Sequence, residues 1–135
     1  MYVETSIPDW QKDFLVSEYI STFDGSSFFY NKFEYESISG PWGKGSLPEG
    51  MYTASYLRDR TIASMTDPDG LGWSVNLDPN FSTDRNLLRI HPDGNTPGTE
   101  GCIGIKGSTR FLYMDLKNNL GIQNTSNSFQ VQVKY

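Results

Sequence analysis

The sequence is poor in the residues that most often carry chemistry: 135 residues hold one cysteine and one histidine. A single Cys excludes an intramolecular disulfide, and one Cys with one His excludes the zinc sites built from several of either. Basic residues are also short, with 11 Lys and Arg against 16 Asp and Glu and a net charge of −5. That balance argues against nucleic acid as a partner, because phosphate neutralisation needs a basic face. It argues equally against electrostatic docking on an anionic membrane. No apolar run approaches the roughly 20 residues of a membrane helix, so no membrane insertion is expected. The opening MYVETSIPDWQKDF lacks the basic start and apolar stretch of a secretory signal. The chain therefore reads as made in the cytoplasm, with any action outside it depending on delivery by other means.

What is abundant is turn-forming and aromatic: 13 Gly, 7 Pro, and 14% Phe, Trp and Tyr. This composition favours many short strands over long helices. An apolar run over 18–23 ends at the turn signal Asp24-Gly25. Residues 27–38 follow with Phe33 and Tyr35 on one side and Glu34 and Glu36 on the other, so the two runs read as a hairpin. Residues 40–50 are too rich in Gly and Pro for anything but an irregular loop. Strands are expected at 51–57, 61–65, 73–77, 86–91 and 128–135, with a turn at Asp67-Pro68-Asp69-Gly70. Phe111, Leu112, Asp115 and Leu116 recur at helical spacing between Ser108 or Thr109, as N-cap, and Gly121, as C-terminal cap. The sum is a single domain over 1–135: mainly β, a sandwich or partly open barrel of seven or eight strands, with one short helix after Cys102.

The stretch RIHPDGNTPGTEGCIGI, residues 89–105, contains both His91 and Cys102. Its Gly- and Pro-rich linker lets the loop fold back so that the two side chains can meet. An imidazole that takes a thiol proton, and a thiolate that attacks a carbonyl carbon, are the minimum for thiol catalysis. Gly101 and Gly104 flank the nucleophile and allow a tight turn, in which the N–H groups of Gly101 and Cys102 can face an oxyanion. The alternative is a structural turn that contains a packed cysteine.

Together with the earlier loop these residues resemble the L,D-transpeptidase family. Its motif is an upstream His, a linker, then Ser/Thr-His-Gly-Cys and an apolar residue. Thr99, Gly101, Cys102 and Ile103 match in place, and His91 matches the upstream His. Residues 39–43 (SGPWG) and 47–52 (LPEGMY) are similar to the family's Ser-Gly loop and Pro-x-Gly-x-Tyr stretch, in the same order along the chain. The resemblance covers roughly 18–120. Glu100 replaces the family's second His, Gly104 replaces an Arg, and the linker is short, as in phage-borne or secreted toxin-like members.

The resemblance implies a cysteine enzyme acting on the peptidoglycan stem peptide, as a transpeptidase or as an L,D-carboxypeptidase or endopeptidase, in the periplasm or on the cell wall. A delivery apparatus or immunity partner would accompany such a protein. Cys102 would be the nucleophile, ionised near neutral pH and quick to alkylate, His91 the base, and Gly101 part of the catalytic turn. The imidazole would be oriented by a backbone carbonyl of Pro92 or Asp93, or by the Asp93 carboxylate. Arg89, Trp42, Thr99, Glu100 and Asp93 are candidate substrate contacts, Arg89 for a carboxylate and Glu100 for a diaminopimelate amine. No cofactor and no metal are called for. A non-catalytic cell-wall-peptide binding domain and a phage structural protein are the competing classes.

Overall fold

The computed structural model describes residues 20–94 and 98–135. The opening segment, the start of the run at 18–23 and linker residues 95–97 lie outside the described residues. Among those described there are eight strands: β1 (Ile20–Phe23), β2 (Ser27–Tyr30), β3 (Phe33–Ile38), β4 (Gly50–Asp59), β5 (Trp73–Pro79), β6 (Arg89–Pro92), β7 (Ile103–Ile105) and β8 (Ser128–Val133). One α-helix, α1, spans Arg110–Leu120. The strands close into a barrel in the order β1-β2-β3-β7-β6-β5-β4-β8. Pairing is parallel between β8 and β1 and between β6 and β7, and antiparallel elsewhere. The mainly β reading with one helix after Cys102 therefore holds, and the sheet is fully closed, which removes the free edges an open sheet would have.

Alternation decides which side chains fill the barrel. Tyr52 and Ala54 of β4, Trp73, Val75 and Leu77 of β5, Ile90 of β6, Ile103 and Ile105 of β7, and Val131 and Val133 of β8 are all buried. Strand β4 changes phase at a bulge: Tyr56 takes φ 64°, and the register against β5 shifts between Ser55 and Arg58. Leu57 then turns inward and Arg58 outward, as the extra residue of a bulge dictates. Leu112, Leu116 and Leu120 of α1, spaced four apart, are fully buried at one barrel end. There Tyr113 donates to Asp59 at the end of β4, and Asn119 donates to Tyr30 at the end of β2.

Several sequence expectations need correction. Residues 27–38 form two strands rather than one, because Asn31 and Lys32 both adopt positive φ (50° and 71°) and make a two-residue hairpin turn. Residues 61–65 are not a strand but a 3-10 turn at Ala63–Met65, closed by the Thr66 hydroxyl and the Met65 N–H on the Ile62 carbonyl. The strand expected over 86–91 begins only at Arg89, since Leu87 has φ 54° and points to solvent. Thr109 stands at the N-cap of α1 without a side-chain cap. Its hydroxyl donates to Asp67 Oδ2 at 2.8 Å and accepts from Trp73 Nε1 at 2.9 Å, while Asp67 takes the Thr109 N–H. No helix of the described residues is long and apolar enough to cross a membrane.

Candidate active site

Strand register brings His91 and Cys102 together. In the parallel pair β6–β7, Ile90 lies beside Ile103 and His91 beside Gly104. Ile90 and Ile103 face into the barrel, so Arg89, His91 and Gly104 face out on the other side, and Cys102, in the bend just before β7, lies on that side too. His91 and Cys102 are thus diagonal neighbours on one face, about 7–8 Å apart at the backbone by ordinary sheet spacing. Both line a cleft of about 760 Å³ whose walls also include Trp42, Gly43, Met65, Leu87, Arg89, Thr99 and Glu100.

The imidazole is held in one tautomer. His91 is 6% exposed, and its Nδ1 lies 2.6 Å from the Pro92 carbonyl oxygen. A carbonyl only accepts, so Nδ1 carries the proton and Nε2 is the basic nitrogen. Burial lowers the His91 pKa, the Pro92 bond opposes that shift, and the Arg89 and Arg60 charges reinforce it. The ring is therefore neutral at pH 7. Cys102 is neutral as well: burial raises its pKa, against the Arg89 backbone hydrogen bond and the Arg89 charge, with Glu100 raising it further and Arg85 lowering it. The thiol donates weakly to the Leu87 carbonyl at 3.9 Å. Burial thus acts against the low-pKa thiolate that the catalytic reading expects, and it favours the neutral forms of both groups.

Thr99 organises the turn that carries Cys102. Its hydroxyl donates to the Cys102 carbonyl (2.7 Å) and accepts from the N–H groups of Gly40 (3.1 Å) and Gly101 (3.2 Å). One proton and two lone pairs are thereby all used. Main-chain bonds add Thr99 N–H to the Gly40 carbonyl and Trp42 N–H to the Thr99 carbonyl, forming a parallel bridge between Pro41 and Thr99. The loop over 39–50 and the Thr99–Cys102 turn are therefore one unit. From β4 the Tyr52 hydroxyl donates to the Pro48 carbonyl of that loop at 2.6 Å, which explains a Tyr four residues after a Pro.

Gly101 favours glycine because its φ is 118°, and a Cβ there would also displace the Arg85 guanidinium. Its N–H is spent on the Thr99 hydroxyl, which argues against the expected Gly101 oxyanion donor. Gly104 fills the position of an Arg in the resembled motif because a Cβ there would press on Thr99 Cγ2 (2.9 Å) and Asp93 Cβ (3.0 Å). Asp93 is not among the cleft-lining residues: its Oδ1 accepts the Gly98 N–H at 3.1 Å. Burial raises the Asp93 pKa, with the Gly98 N–H and Lys106 opposing.

Of the sequence candidates, Cys102, His91, Arg89, Trp42, Thr99 and Glu100 line the cleft, while Gly101 and Asp93 support it from outside. Sequence reasoning missed Arg85. It reaches back to the carbonyls of Lys44, Gly45 and Ser46 at 3.2–3.4 Å and lies beneath Gly101. Nothing in the irregular stretch around Arg85 signals that role. Among the described residues no three of His, Cys, Asp and Glu gather as metal ligands. No protein-family model, curated protein or solved structure matches the chain.

Proposed function

We propose that this chain is a cysteine acyl-transfer enzyme of the L,D-transpeptidase type that acts on peptidoglycan stem peptides, chiefly as a carboxypeptidase. One observation carries the reading: the sole His, on β6, and the sole Cys, in the bend that leads into the adjacent β7, line one cleft, with the imidazole fixed to leave Nε2 basic. The bridging of the 39–50 loop to the Thr99–Cys102 turn adds support, because the two separated parts of the motif resemblance meet in space.

In this mechanism His91 Nε2 takes the thiol proton as Cys102 Sγ attacks the carbonyl between the L-centre of the third residue and the terminal D-Ala. The Cys102 N–H steadies the oxyanion. The C–N bond breaks, the imidazolium protonates the departing amine, and a thioester remains. Water, deprotonated by the same imidazole, attacks the thioester. The C–S bond breaks, and the proton returns to sulfur. In this reading water, present at high concentration, outcompetes any acceptor amine that is not held in place.

The test is mass spectrometry of disaccharide-tetrapeptide after incubation with the protein. Tripeptide and free D-Ala are expected, and Cys102→Ala abolishes both. Dominant cross-linked dimer would keep the acyl-transfer reading and move it to transpeptidation. Turnover by Cys102→Ala equal to wild type would remove the nucleophile. A second reading, a cell-wall-peptide binding domain without catalysis, is favoured by the raised thiol pKa; it forecasts tetrapeptide binding with no product.

A further inference from the structure

Across the barrel from β6 and β7, in strand order, β8, β1 and β2 join the end of α1 around a pocket of about 240 Å³. It shares no lining residue with the His91–Cys102 cleft. Alternation turns Ser21 and Phe23 of β1, Phe28 and Tyr30 of β2, and Phe129, Val131 and Val133 of β8 toward the barrel interior. Ser21 stands beside Val131 and, one residue on from the Thr22–Phe29 pair, beside Tyr30. It is the smallest side chain of that inward set, so the barrel mouth is left unfilled where the three strands meet. Ligand sites favour such mouths.

Aromatic faces and unused hydrogen-bonding groups share this space. The Tyr30 and Phe129 rings wall it, with centroids 4.8 Å apart and planes tilted by 53°. The Ser21 and Ser128 hydroxyls line it and make no hydrogen bond among the described residues. Asn119 Nδ2 donates to the Tyr30 hydroxyl at 2.7 Å, which leaves Asn119 Oδ1 and the phenolic proton available. Burial raises the Tyr30 pKa, the Asn119 bond opposes that shift and Asp115 adds to it, so the phenol keeps its proton. At the rim, Asn31 Nδ2 bonds both Asp115 carboxylate oxygens and leaves its own Oδ1 free. No Lys, Arg, Asp or Glu lines the pocket.

We infer that this pocket binds one neutral pyranose ring. A pyranose carries C–H groups on its faces and hydroxyls around its edge, which matches aromatic walls bordered by hydroxyls and amides. A lining without charge selects a neutral ligand, because a charge taken out of water without a partner is costly. The volume is below the roughly 300–1,000 Å³ of a site for a drug-sized molecule, which limits the occupant to a single ring. The site stands apart from the thiol and is independent of the acyl-transfer reading.

The experiment titrates the protein with glucose, N-acetylglucosamine and glycerol and follows amide shifts by NMR. Saturable binding of at least one sugar is expected, with a Kd on the order of 1 mM and shifts centred on Ser21, Tyr30 and Phe129. Glycerol has hydroxyls but no rigid ring, and should bind about tenfold more weakly or not at all. Ser21→Leu fills the space with an apolar side chain at an inward position, and should abolish binding while the urea midpoint stays at or above wild type. Tyr30→Phe keeps the ring, removes the hydroxyl and should weaken binding about tenfold. No saturable binding of either sugar up to about 100 mM overturns the site. So does glycerol binding as tightly as the sugars, or an affinity unchanged in both variants. The readout needs no turnover, so either result leaves the acyl-transfer reading to its own test.

Discussion

Replacing Thr99 with valine conserves the shape of the side chain and removes the hydroxyl at the centre of the site. Thr99 is 5% exposed, so water cannot take over the three contacts it makes to Gly40, Gly101 and Cys102. Each such bond contributes about 1 kcal/mol net, and each buried group left unpaired costs about 1–3 kcal/mol. Partial relaxation brings the expected loss to about 3 kcal/mol, a large share of the roughly 5–15 kcal/mol that holds a domain folded. The barrel core does not include Thr99, so the variant should fold, with a lower urea midpoint and an unchanged slope. The nucleophile turn loses its tie to the 39–50 loop, and a displacement of about 1 Å there should lower kcat by about 100-fold. Thr99→Ser keeps the hydroxyl and should stay within about 1 kcal/mol of wild type. A Thr99→Val protein with the wild-type midpoint and wild-type turnover would show that this hydrogen-bond hub does not position Cys102.

Alkylation of Cys102 by iodoacetamide needs the thiolate, and burial holds its pKa above the ordinary value. The rate should be slow at pH 7 and climb about tenfold per pH unit into the alkaline range; fast labelling that is flat from pH 6 to 8 would contradict the neutral resting pair. His91→Ala should lower acylation by about 10²–10⁴, the usual cost of a lost general base, since no second His exists to replace it. A pH–rate profile unchanged in that variant would exclude His91 from the reaction. Asp67→Asn should cost about 3 kcal/mol in urea melts, because an amide donor replaces an oxygen that accepts from Thr109 N–H and Oγ1. Burial raises the Asp67 pKa, but the bonds from Thr109, Leu71 and Asp69 outweigh it and lower it overall. A depressed folded value means its contribution is fully present above pH 3.8 and is lost as pH falls below 3.8 through the lower folded value. The Asn penalty should shrink in the same acid window, and a penalty constant down to pH 2 would contradict the assignment.

Local pattern alone made much of this protein readable. Alternation in 73–77 and 128–135, the four-residue spacing of Leu112 and Leu116, and the breaker density of 40–50 each follow from backbone geometry within a few residues. The rarity of His and Cys, with their glycine-rich linker, also singled out the cleft. What failed did so where local signals are weak or contact-dependent. Asn31-Lys32 is a turn with one unfavourable residue, the two short strands around it read as a single run, and Thr66 closes a turn by bonding back to its own backbone.

The sequence by itself determined a mainly β chain, the helix after Cys102, and a glycine-rich segment holding both His91 and Cys102, because periodicity and residue type are local properties. Only the tertiary structure decided that β6 and β7 run parallel, putting His91 and Cys102 on one face. It likewise decided that the Gly101 N–H belongs to Thr99, and that the β4 bulge turns Arg58 outward. Strand partners, burial and the charges around a group come from chain segments far apart in sequence, and these set its pKa.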